Sequence, residues 1–176
     1  MKAILAFLVL SVSLHAYGQD NKTHTLKSIL LDQLRSTHNV AGWFAPTNTA
    51  VEGLTAEQAS WKPKDDEHSI GQLANHLLFW DRRNLEKFKG EPLDKYAGNN
   101  DETFNSFDSK SWAATVQQLD AVMTEWEKAV EAADDKKVES WAPTIANIAT
   151  HNAYHIGQII FIRKLQGSWD PAKGVK

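Results

Sequence analysis

Ser69-Ile-Gly-Gln-Leu-Ala-Asn-His-Leu-Leu-Phe-Trp80 is the stretch on which the fold turns. Its first four residues form a capping box. The Ser69 hydroxyl accepts from a backbone N–H in the first turn, and the Gln72 side chain reaches back to the start of the helix. Ile70, Leu73, Leu77, Trp80 and Phe88 then follow on one side, at the spacing of an amphipathic helix. Gly90 and Pro92 end this helix near Lys89. His76 lies on or beside the apolar stripe, where a polar ring has to find either a hydrogen bond or a ligand.

Other helical segments lie on both sides of this one. Leu26, Ile29, Leu30, Leu34, Val40, Ala41 and Phe44 predict a helix from about Thr25 to Phe44, interrupted by Pro46, with a shorter piece continuing to Glu52. Thr55-Ala-Glu-Gln58 reads as a single capped turn that ends at Trp61-Lys-Pro63. Trp112, Val116, Leu119, Met123, Trp126 and Val130 form a near-heptad stripe from about Ser111 to Asp134. Asp134-Asp135-Lys136-Lys137 reads as a solvated turn. The last helix is expected to begin after Pro143 and run to Gln166, with Gly167 as its stop and an irregular tail from Ser168. The polar stretch from Glu91 to Asp108, with Gly98-Asn99-Asn100-Asp101 at its middle, is long enough to cross a bundle or to make a hairpin. No segment alternates with period two for long enough to require a strand. The fold class is all-α, an antiparallel or crossover four-helix bundle.

Composition narrows the function. The chain has 176 residues, 42% of them hydrophobic and 23% charged, with a net charge of −3 and no cysteine. That length suits one domain with a real core. The charge argues against nucleic acid and anionic lipid as partners. The absence of cysteine excludes disulfides, thiolate metal sites, a cysteine nucleophile and a lipoprotein anchor. Residues 1–18 have the layout of a secretory signal peptide. Lys2 precedes an apolar run from Ala3 to Leu14, and Ala16-Tyr17-Gly18 supplies a small-x-small cleavage site, with Gln19 as the new terminus. The run is shorter than the roughly 20 residues a spanning helix needs. The expected domains are therefore a signal peptide over 1–18 and a bundle over 19–176. The mature protein is expected to be periplasmic or secreted, without stable membrane anchoring after cleavage.

His151 and His155 are placed four apart on the last helix, on a face shared with Ile148, Asn152, Ile159 and Ile162. Both imidazoles are expected to point inward, and neutral imidazole is a common ligand for a divalent metal. His76, from a facing helix, is a candidate third ligand. On spacing alone, His76 also reads as a core histidine satisfied by a hydrogen bond, and an isolated H-x-x-x-H is a weak signal. His38 is expected to be partly exposed, and His68 and His24 to be loop residues. Asp81, Arg82 and Arg83 are assigned to a solvated face, although the arginines could bind an anionic group. Asn152 and Gln158 could orient a ligand or water. Trp43, Trp80 and Trp141 could wall a pocket or simply pack in the core. Acidic residues are read as lying on exposed faces, so no carboxylate pair stands out as acid and base.

Four segments together resemble the DinB superfamily of metal-dependent proteins. Ser69-Ile-Gly-Gln-Leu-Ala-Asn-His76 with Trp80 looks like the family's second-helix motif, and His151-Asn-Ala-Tyr-His155-Ile-Gly-Gln158-Ile like its fourth-helix motif. Leu54-Thr-Ala-Glu-Gln-Ala-Ser-Trp61-Lys-Pro63 and Arg163-Lys-Leu-Gln-Gly-Ser-Trp169-Asp-Pro171 resemble further recurrent segments. The resemblance implies a four-helix bundle of DinB type with a long crossover connection. It also implies a three-histidine site formed by His76, His151 and His155, binding a divalent metal ion, Zn²⁺ or Ni²⁺. Some relatives are transferases or isomerases that use low-molecular-weight thiols, members often pair as homodimers, and the family name implies no DNA binding. An export signal departs from that pattern and argues against a cytosolic thiol cosubstrate. The function expected is that of an exported metal-dependent hydrolase or transferase acting on a small molecule. The alternative is a non-catalytic periplasmic bundle that binds a metal or small ligand.

Overall fold

The structure, a computed structural model, describes residues 24–105 and 107–174. The expected export segment and the Gln19 terminus lie outside these residues. The order is α1 (Leu26–His38), α2 (Thr47–Val51), α3 (Ala56–Ser60), α4 (Ile70–Lys89), α5 (Glu102–Asn105), α6 (Trp112–Ala132) and α7 (Asp135–Leu165). Short 3₁₀ turns at Ser109–Ser111 and Pro171–Lys173 lead into α6 and lie in the tail. The described residues contain no strand, and none of their helices is long and apolar enough to cross a membrane.

Local chemistry sets the ends of the helices. Capping boxes open α1 (Thr25 with Ser28), α3 (Thr55 with Gln58) and α4 (Ser69 with Gln72). Gly90, in the left-handed region at φ 82°, closes α4. Two boundaries differ from expectation. The first helix stops at His38, not Phe44. The N–H groups of Asn39 and Val40 both turn back to the Arg35 carbonyl. Beyond them, Gly42 is a poor helix former, and Pro46 disfavours helical backbone at Ala45. The last helix starts at Asp135 rather than after Pro143. The Asp134 carboxylate accepts from the Lys137 N–H at 2.7 Å. The supposed solvated turn is therefore a cap and a first turn, and Pro143 sits inside a 31-residue helix.

α1 packs on α6 and α7, and α4 packs on the same two helices, so α1 and α4 are diagonal. Arg82 reaches Gln118 at 2.8 Å and Lys89 reaches Glu125 at 3.5 Å, which makes α4 and α6 parallel. Lys27 meets Asp135 at 3.5 Å, so α1 and α7 start together. His38 pairs with Asp120 and Arg35 with Glu131, so α1 opposes α6. The directions are up, down, down, up. Two parallel neighbours, α4 and α6, require residues 90–111 to return along the length of α4. This is the long crossover connection, and it brings α5 with it. The connection lands on Gly71, where a Cβ would overlap the Phe107 ring.

The core contains Ile70, Leu73, Leu77, Leu119, Trp126, Ile145, Ile156 and Ile159, all fully buried. The buried indole N–H groups are satisfied, Trp126 by the Asp81 carbonyl at 3.0 Å and Trp112 by the Leu54 carbonyl at 2.9 Å. Arg163, buried on α7, donates through Nη1 to the carbonyls of Ala50 (2.8 Å) and Glu52 (3.1 Å), and through Nη2 to that of Ser168 (2.7 Å). Its guanidinium also lies 5.3 Å from the Trp169 ring centre. One planar cation thus holds the end of α2 and the tail against α7. Arg163→Met should lower stability by about 2–3 kcal/mol in urea unfolding, because it strands buried carbonyls. Arg163→Lys should recover only part of the loss, because an ammonium cannot span the same fork.

Candidate metal centre

The parallel and antiparallel contacts of α4 set His76 opposite His151 and His155 on α7. The Nε2 atom of His151 lies 3.0 Å from that of His76 and 3.1 Å from that of His155. The three ligand atoms are all within 4.8 Å of one another. Ligands at 2.0–2.1 Å from a tetrahedral zinc lie about 3.3 Å apart, so little rearrangement separates this set from a coordinating one. His76 and His155 are buried, while His151 is half-buried and opens toward solvent.

Proton positions follow from the partners. The Thr103 hydroxyl donates its single proton to the Asn100 carbonyl at 2.6 Å, so it accepts from Nδ1–H of His76. Oε1 of Gln158 accepts from Nδ1–H of His155 at 2.6 Å, while Nε2 of Gln158 donates to the Tyr154 hydroxyl at 3.3 Å. Both neutral rings therefore turn an unprotonated Nε2 toward His151. A single N–H on His151 satisfies one of these lone pairs. A divalent cation would satisfy all three nitrogens, and the donor set fits one.

The environment keeps the rings neutral. Burial, reinforced by repulsion from His155, His151 and His68, lowers the His76 pKa to about 3. Burial and His155 lower that of His151 to about 4. Burial also lowers that of His155, against the hydrogen bond to Gln158, which raises it. Phe104, carried by α5, stacks on His76 with ring centres 3.9 Å apart and on His68 at the same distance. It seals one side of the cluster with an apolar ring.

The other side opens into a cleft of about 450 Å³ lined by Trp80, Asn84, Asn100, Thr144, Asn147, Ile148 and His151. Of the three tryptophans considered, only Trp80 lines this cleft. Trp43 is fully exposed, and Trp141 packs edge-on against Phe88 at 5.3 Å. Arg82 and Arg83 stay on the outer side, bonded to Gln118 and the Asp94 carbonyl. His24 and His68 are exposed.

Two expectations fail. His38 is 1% exposed, with Nδ1 2.6 Å from Glu127 and Nε2 2.9 Å from Asp120; it pins α1 to α6 away from the three-histidine cluster. Asp81 does not lie on a solvated face. It is fully buried, accepts from the Asn152 amide at 3.1 Å, and has no partner for its Oδ1. Burial raises its pKa from 3.8 to about 7, against the Asn152 hydrogen bond, which lowers it. Asn152 therefore holds α4, not a ligand. A signal for both residues was present: Asp81 continues the stripe Leu73–Leu77–Leu85, and His38 lies one helical repeat beyond Leu34. Thr103 had no such signal.

A family model of the DinB superfamily matches residues 44–159, more than half of the chain and all three histidines. Neither a curated protein nor a solved structure matches the sequence.

The burial of Asp81 has a pH signature. The folded state holds this proton up to about pH 7, whereas the unfolded chain releases it near 3.8. The stability it lends is complete below the lower value and is lost as pH rises through the upper. Asp81→Asn keeps a neutral group there at every pH. The stability of the variant relative to the parent should therefore rise by roughly 2–4 kcal/mol between pH 5 and 8, read from urea melts at matched pH. The histidine titrations are common to both proteins and cancel in the difference.

Proposed function

The chain belongs to the DinB superfamily, and from that premise we propose that it is an exported metal-binding bundle in which His76, His151 and His155 hold one divalent ion, Zn²⁺ or Ni²⁺, and act on a small molecule by hydrolysis or group transfer. The observation that carries this reading is the convergence of three Nε2 atoms, two of them fixed as acceptors by Thr103 and Gln158. When bound by three nitrogens with positions left open, such an ion supplies a Lewis acid and lowers the pKa of water or another nucleophile. The chain's own residues do the rest. Thr103 and Gln158 hold the ring orientations, Phe104 excludes water from one side, and the Trp80 cleft admits substrate beside His151. The layout of residues 1–18 supports export, and the groove lined by Phe44, Ala153, Gly157 and the exposed Phe161 offers a face for a homodimer.

One observation favours the second reading, a bundle that binds a metal or small ligand without turning it over. The cleft lining carries no carboxylate and no lysine to serve as a general base.

Purified protein reconstituted with zinc or nickel should hold about one equivalent by elemental analysis. His151→Ala should lose the metal and any turnover while the helical circular-dichroism signal stays. Thr103→Val should keep the ligands but weaken zinc binding by about 10–100-fold. A parent protein that takes up no metal after reconstitution would sink the proposal. Turnover in the metal-free protein would sink its catalytic part, and a complete absence of turnover in the loaded protein would favour the binder.

A further inference from the structure

We infer that the cleft beside His151 is a subsite for an uncharged polyhydroxylated ring, a neutral sugar or glycoside. The inference rests on His151 marking the reactive end of the cleft, as proposed above.

The lining contains no Asp, Glu, Lys or Arg. Trp80, Asn84, Asn100, Thr144, Asn147 and Ile148 are all uncharged. In the metal-free protein, a carboxylate, phosphate or ammonium lying against these residues would meet no opposite charge. What the lining does offer is a set of neutral donors and acceptors. The Thr144 hydroxyl and the Asn147 carboxamide make no hydrogen bond within the described residues. Two other carboxamides are anchored by one end only. Asn84 donates through Nδ2 to the Trp80 carbonyl at 2.8 Å, and Asn100 accepts through Oδ1 from the Trp80 indole at 3.2 Å. Each leaves the other end of its amide for a ligand.

An amide presents a donor and an acceptor, and a hydroxyl does both from one atom. That mixture suits hydroxyl groups, which also do both. The two apolar members of the lining, Trp80 and Ile148, match the C–H surface of a pyranose. The indole of Trp80 is held in place by its bond to Asn100 and by edge contacts with Phe79 at 5.2 Å and Tyr96 at 5.6 Å. A volume of about 450 Å³ is in the range of small-molecule sites and accommodates one sugar ring with a substituent directed at His151.

The test is calorimetric titration of the purified protein, metal-free and zinc-loaded, with methyl glucopyranoside and N-acetylglucosamine. The matched charged probes are glucuronate, glucosamine and glucose 6-phosphate. In the metal-free protein the neutral sugars should saturate, and each charged probe should bind at least about tenfold more weakly; in the zinc-loaded protein the neutral sugars should still saturate. Asn147→Ala and Thr144→Val, both on the solvent-facing side of α7, should each weaken the neutral sugars by about fivefold or more with an unchanged circular-dichroism spectrum. Tighter binding of a charged probe to the metal-free protein, or no saturation by any neutral sugar up to ~10 mM, would overturn the inference. Metal content measured on the same samples separates the two readings. Sugar binding by a protein that takes up no metal on reconstitution would remove only the metal centre, and a full equivalent of metal without sugar binding would remove only the subsite.

Discussion

The hydrogen bond from Asn152 to Asp81 ties α4 to α7 in the dry centre of the bundle, and the three-histidine cluster depends on it. Apolar packing alone tolerates sliding, because one isoleucine is nearly as good as the next turn's. A buried carboxyl group does not tolerate it, because a slide of one turn along α7 would set it against Ile148 or Ile156, which offer no side-chain donor. Asp81 also lies one residue from Trp80, and its backbone carbonyl receives the Trp126 indole, so the same residue joins α4 to α6. Once this register is set, His76 has to face the turn of α7 that carries His151 and His155.

The cluster is then finished by the crossover connection, whose Phe104 also belongs to the core. The crossover connection brings Thr103 to Nδ1 of His76 and Phe104 to its face, while Asn75 holds the Thr103 carbonyl at 2.9 Å. On the other helix Gln158 performs the corresponding task for His155 from within the same turn. One ligand is therefore oriented across a distance of 27 residues in sequence and the other across three. Both arrangements produce an unprotonated Nε2.

These two distances explain what could be read from the sequence. The stripes of Leu73 and Leu77, of Leu119, Met123, Trp126 and Val130, and of Ile148, Ile159 and Ile162 were legible, because helical periodicity is a local property. So was the pairing of His151 with His155, and with it the place of Gln158. The C-terminus of α1 and the N-terminus of α7 were not legible, because turns and caps compete there with residues that a helix tolerates. Val40 and Ala41 suggested continuation where Gly42 and Pro46 forbade it, and Pro143 suggested a start where the Asp134 cap had already made one. Asp81 and His38 were assigned by residue type when their positions on the stripes were the better guide. Thr103 was not legible at all, since nothing local marks which residue of a polar connection will dock on a helix.

The landing of the connection on Gly71 therefore separates two kinds of sequence freedom. The helices determine which atoms meet at the centre. The crossover, anchored where Phe107 rests on a residue without a side chain, determines how basic one of those atoms is and how dry its surroundings are. Replacing the segment between its two anchors would leave the ligands in place and alter their chemistry. Within a single bundle, selection can diversify reactivity by editing a loop, with the architecture inherited unchanged.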